Sequence, residues 1–106
     1  MLNKSISDKN NIVYQASIDD KTFKKENDGK VISWSIAYSV TDEKKEQIGF
    51  GHFVILCDAD HEHLSSHDNM IQALLENGSR KIREDINNGE PIESKSYRMR
   101  VANCLE

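Results

Sequence analysis

The sequence predicts an α+β domain of order β-β-β-α-β: an antiparallel β-meander of three strands, one long helix packed across one face, and a final edge strand, forming a two-layer sandwich. Three observations predict it. Residues 31–41 alternate strictly, with Ile32, Trp34, Ile36, Tyr38 and Val40 on one face and Ser33, Ser35, Ala37 and Ser39 on the other. Residues 66–87 carry Ile71, Leu74, Leu75, Gly78, Ile82 and Ile86 at helical spacing. Alternation returns in residues 94–103, where Tyr97, Met99 and Val101 share a face.

Taken in order, residues 1–10 are polar and aperiodic and read as a flexible terminus, with a single domain over 11–104. Residues 11–18 form the first strand, with Ile12, Tyr14, Ala16 and Ile18 on one face. That strand could extend through Phe23 to a turn at Asn27-Asp28-Gly29, since Asn, Asp and Gly tolerate turn dihedrals. The charged run DEKKE at 42–46 turns the chain into the third strand, residues 47–57. This strand is apolar on both faces: Phe50, Val54 and Leu56 on one, Phe53, Ile55 and Cys57 on the other. Gly49 and Gly51 mark a bulge or a close backbone approach. The helix starts at Ser65 or Ser66, with Asp68 in an approximate capping box after Ser65. Gly78 in its apolar stripe lets it approach the sheet. Glu76–Arg80, Arg80–Glu84 and Lys81–Asp85 are spaced as outward i,i+4 pairs. Asn88-Gly89 stops the helix and Pro91 prevents its continuation. The final strand returns parallel to the third, at an edge beside either the first or the third. Leu105-Glu106 reads as the scar of an expression tag.

Composition narrows the function classes. The chain has 106 residues, 37% hydrophobic and 30% charged, with 18 acids against 14 bases and a net charge of −4. That balance exerts no overall pull on nucleic acid or anionic membranes. No apolar run approaches the roughly 18 residues of a membrane span, so the expected location is cytoplasmic. The two cysteines, Cys57 and Cys104, make no secreted-type framework, and Cys57 is expected to be a buried free thiol rather than half of a Cys57–Cys104 disulfide.

Four groups of residues carry candidate chemistry. The loop DADHEHLSSHD holds three of the four histidines. His61 and His63 would share one side of an extended segment, with His67 a third ligand for zinc or another divalent metal. The blander reading is an exposed polar loop whose Asp68 complements the helix dipole; the spacing matches no HExxH or finger pattern. Cys57 with His52 or His61 lacks an orienting third group for nucleophilic catalysis. Arg98 and Arg100 could contact single-stranded nucleic acid beside Phe53, against an acidic net charge and no recognisable RNA-binding signature. The open sheet face, with Ser33, Ser35, Ala37, Phe53 and Ile55, is the expected interface.

The leading expectation is a small non-enzymatic binding, adaptor or regulatory module acting through that face or a strand edge, as a homodimer with a further protein partner and no cofactor. Metal binding through His61, His63 and His67 is the first alternative, and nucleic-acid binding through Arg98 and Arg100 the second.

Overall fold

The first ten residues, expected to fray, instead begin with a strand. The computed structural model describes residues 2–58 and 66–100. The elements are β1 (Leu2–Ser7), β2 (Val13–Asn27), β3 (Val31–Thr41), β4 (Gln47–Asp58), α1 (His67–Asn87) and β5 (Tyr97–Arg100). They form one five-stranded sheet in sequential order, antiparallel from β1 to β4 and parallel between β4 and β5. The final strand therefore lies beside the strand that precedes the helix. The α+β class holds, but the sheet curls into a half-barrel rather than lying flat as one layer of a sandwich. The helix sits inside the curl and touches all five strands.

The alternation of β3 works as the sequence predicts. Ile32, Trp34, Ile36, Tyr38 and Val40 are buried, while Val31, Ser33, Ser35, Ala37, Ser39 and Thr41 are half-buried on the other face. Their cross-strand partners set the faces of β4. Ile36 opposes Phe53, Trp34 opposes Ile55 and Ile32 opposes Cys57, so these three β4 residues face the helix. Ala16 and Ile18 of β2 and Tyr97 and Met99 of β5 complete the inner layer. Ile6 of β1 is fully buried with them.

Two turns share one construction. In each, an aspartate backbone N–H donates to the carbonyl four residues on: Asp8 to Ile12 and Asp42 to Glu46. Its carboxylate accepts from the N–H groups two and four residues on, at 2.8 and 2.9 Å for Asp8 and at 2.9 Å twice for Asp42. The residue before the return, Asn11 or Lys45, has positive φ. Asp28 performs the corresponding service for Lys30 and Val31 in the β2–β3 turn.

The helix starts and stops within the expected bounds. Ser66 is the N-cap, and its hydroxyl accepts from Asn69 N–H at 3.2 Å. At the other end Gly89, at φ 72°, donates to Ile86, and Glu90 donates to Asp85, the Schellman pattern. The buried stripe is wider than the one read from the sequence and includes Met70, Ala73 and Ser79. A helix wrapped by a curled sheet buries more of its circumference than one resting on a flat layer. The expected outward pairs are also rearranged. Arg80 donates to Asn77 Oδ1 at 2.7 Å, Lys81 lies 3.9 Å from Glu84, and Asp85 turns to Lys95.

Cys57 is fully buried and disulfide-bonded, against the expectation of a free thiol. Cys104 lies outside the described residues. Among the described residues no helix is long and apolar enough to cross a membrane.

Candidate binding site on the outer sheet face

A trough of about 630 Å³ runs across β2, β3 and β4 on the face away from the helix. Its floor follows from the β3 alternation: Ala37 and Ser39 place nothing larger than a hydroxymethyl group there. Ser17 of β2 opposes Ser39, and Asp19 opposes Ala37. Beyond Asp19 the β2–β3 ladder breaks, and residues 20–23 stand opposite Ile36 alone. Thr22 bridges the break. Its Oγ1 donates to Asp19 O at 2.6 Å and accepts from Ala37 N–H at 2.8 Å. Asp19 Oδ1 accepts from Lys21 N–H at 3.0 Å, which fixes the carboxylate at the end of the trough.

The other wall is built by β4. Ile48 is one residue in excess of its partners Val40 and Thr41, which is the bulge expected near the two glycines. Gly49 and Gly51 oppose the inward residues Val40 and Tyr38. A side chain at either would strike the backbone of the connection between α1 and β5, at Ile92 O and Lys95 O. The glycines are thus a close approach, and the space that their side chains would fill is occupied by that connection. Phe50, between them, points outward and is 50% exposed. It forms a ridge between the trough and a smaller depression of about 210 Å³. His52, opposite Ala37, is exposed on the same face. Ser94 and Ser96 close the rim, and Gln47 stands at its end.

The segment carrying Ser94 and Ser96 is clamped. Lys95 N–H donates to Phe50 O at 3.1 Å, and Tyr38 OH donates to Lys95 O at 2.7 Å. Lys95 Nζ and Tyr97 OH both donate to Asp85 Oδ2, each at 2.6 Å, and the ammonium lies 5.1 Å from the centre of the Tyr97 ring. The Tyr38 and Phe53 rings stack at 4.2 Å behind it. Burial, reinforced by the Asp85 charge, pushes the Tyr38 phenol up to about 12. Burial and the hydrogen bond to Asp85 raise Tyr97 further. Burial works against the Asp85 carboxylate, but hydrogen bonds from Lys95 and Tyr97 and the charges of Lys95 and Lys81 outweigh it, and the net pKa is lowered. Both phenols therefore remain donors, and the carboxylate an acceptor, throughout the neutral range. The groups are committed to each other and hold the rim in place.

The residues singled out from the sequence fall in several places. Ser33, Ser35 and Ala37 lie on the outer face, and Ala37 alone of them lines the trough. Phe53 and Ile55, expected on that face, are fully buried against the helix side, because their partners Ile36 and Trp34 point inward. The apolar row left outside is Val54 and Leu56, with Phe50 on the same face beyond His52 and before the bulge. Arg98, paired with Val54, is exposed; Arg100 pairs with Leu56. His61 and His63 lie outside the described residues. His67 opens the helix, with Nδ1 3.5 Å from Asp68 Oδ1 and its ring edge-on to Phe23 at 4.5 Å. No group of three metal-ligating side chains occurs among the described residues. Cys57 and His52 lie on opposite faces of β4, so they form no nucleophile and base pair.

Sequence reasoning missed Ser17, Asp19, Ser39, Gln47, Phe50, Ser94 and Ser96 as one site. The available signal was Phe50 itself, a large apolar residue set between two glycines. No protein-family model, curated protein or solved structure matches this chain.

Proposed function

We propose that this chain is a small non-enzymatic binding module of adaptor or regulatory type, and that its recognition surface is the outer-face trough. The observation that carries this reading is the half-exposed Phe50 ring on the rim of a trough whose wall is clamped in advance. An exposed aromatic beside a preformed concavity is how binding surfaces concentrate affinity, and a wall already ordered lowers the entropic cost of binding. Binding rather than catalysis is favoured because Tyr38, Tyr97, Asp85 and Lys95 bond to one another.

The homodimer is proposed to form edge to edge through β1, which leaves the trough open. β1 is a sheet edge of six residues with neither proline nor glycine, and Lys4 is its one charge. Antiparallel pairing of two copies about Ser5 sets Lys4 opposite Ile6 and keeps the two lysines apart. The disulfide at Cys57 favours an oxidising compartment over the cytoplasm expected from the lack of a long apolar run.

The test is paired affinity capture from native cells, using the wild-type chain and Ala37→Arg, which fills the trough floor. A partner recovered with the wild type and lost with the variant is the expected result. Equal recovery by both would remove the trough from the proposal, and sedimentation showing a monomer at all concentrations would remove the dimer.

A further inference from the structure

The chemistry of the trough narrows what it can hold. Asp19 supplies the one charged side chain among its described lining residues, which include neither Lys nor Arg. A phosphate, a nucleic-acid backbone or a carboxylate ligand would meet no countercharge there. The remaining polar lining consists of serine hydroxyls, the Gln47 amide and the His52 imidazole. Hydroxyl, amide and imidazole groups both donate and accept, so they suit a ligand that does the same at many points. Phe50 adds a half-exposed apolar ring face.

From this juxtaposition we infer that the trough binds a neutral polyhydroxylated ligand, one or two saccharide rings in size. A pyranose presents C–H groups on its ring face and hydroxyls around its perimeter. The C–H face would lie on Phe50, and the perimeter would reach Ser17, Asp19, Ser39 and His52. A carboxylate accepts from two neighbouring hydroxyls at once, which is the role assigned to Asp19. The volume of about 630 Å³ falls within the range of small-molecule sites. Each hydrogen bond replaces one to water, so affinity is modest and the Phe50 contact carries a large share of it.

The inference rests on the trough being the recognition surface, and the experiment separates the two. The full-length ¹⁵N-labelled chain is titrated with maltose, cellobiose and N,N′-diacetylchitobiose, and with choline as a cationic probe. Saturable shifts centred on Ser17, Asp19, Ser39 and His52 with at least one disaccharide are expected. Phe50→Ala should then weaken binding by ~10-fold or more, the loss of about 1.4 kcal/mol, and Phe50→Tyr should retain it. Phe50 is exposed, so both variants keep the core intact. Choline shifts without disaccharide shifts, abolished by Asp19→Asn, would overturn the saccharide assignment and keep the trough. Silence with every probe, while Ala37→Arg still abolishes partner capture, would overturn it in the same way. Silence together with undiminished capture would overturn both.

Discussion

Asp85 is where a single side chain does most for the shape of the site. Its carboxylate takes both the Lys95 ammonium and the Tyr97 hydroxyl and so holds the segment bearing Ser94 and Ser96. Its folded-state pKa lies below the ordinary value of 3.8. A carboxyl depressed on folding adds stability above the unfolded value and loses it as the pH falls through the folded one. Lys95 is 40% exposed, so the ion pair itself contributes little and the buried hydroxyl contact contributes more. Asp85→Asn should therefore cost about 1 kcal/mol at pH 7, and its deficit against the wild type should shrink below the unfolded value of 3.8. Urea denaturation of both chains at neutral and acid pH measures the difference; a deficit that grows on acidification would contradict the clamp. None of this was legible in the sequence. Asp85 reads there as the partner of Lys81, one helical turn away, because linear spacing cannot show that a connection ten residues later folds back over the helix end. Phe50 was legible in kind: two flanking glycines announce a close approach, though not which segment makes it.

Among the elements, the fit between α1 and β4 depends on Gly78. A methyl group added there would sit 2.5 Å from the Phe53 ring, which is fully buried and stacked on Tyr38. Gly78→Ala gains about 1 kcal/mol of helix propensity but must displace that ring, and overpacking of a filled core costs about 1–3 kcal/mol. The expected net result is destabilisation, read as a lower denaturation midpoint with the same helix content by circular dichroism. Stabilisation would show that Phe53 moves freely. This contact was readable from the sequence, since a glycine amid Leu74, Leu75 and Ile82 has few other uses. Strand β1 was not. Its inward apolar residues, Leu2 and Ile6, are separated by Lys4, and two residues make no period. Its order comes from a complete ladder with β2, from Leu2 opposite Ile18 to Ser7 opposite Val13. The helix stripe was underestimated for a related reason: Ala73 and Ser79 carry little hydrophobic signal, yet both are buried where the curled sheet closes over them.

The molecule as a whole is a half-barrel filled by one helix, and its stability depends on how firmly the two halves of the chain are joined. The disulfide at Cys57 adds a covalent tie near the end of β4, within the inner layer. A native disulfide in a small domain typically contributes about 2–4 kcal/mol. Urea denaturation with and without reductant should show a loss of that order, and an unchanged midpoint would mean that the tie constrains nothing. The class and order of the principal elements were legible because β3 and α1 each carry a strong period and β4 is a continuous apolar run. The curl was not: bulges and ladder breaks bend strands, and those after Asp19 and at Ile48 have no periodic signature.

The helix touching all five strands also has a consequence for biosynthesis. The ribosome releases β1 to β4 before α1, so four strands leave the exit tunnel with their inner row of Ile, Trp, Tyr and Phe uncovered. At about 5–20 residues per second, the 29 residues that follow Asp58 up to Asn87 take roughly 1.5 to 6 seconds to make. For that interval the nascent chain displays the surface that chaperones recognise, and burial of that surface waits for its last long element.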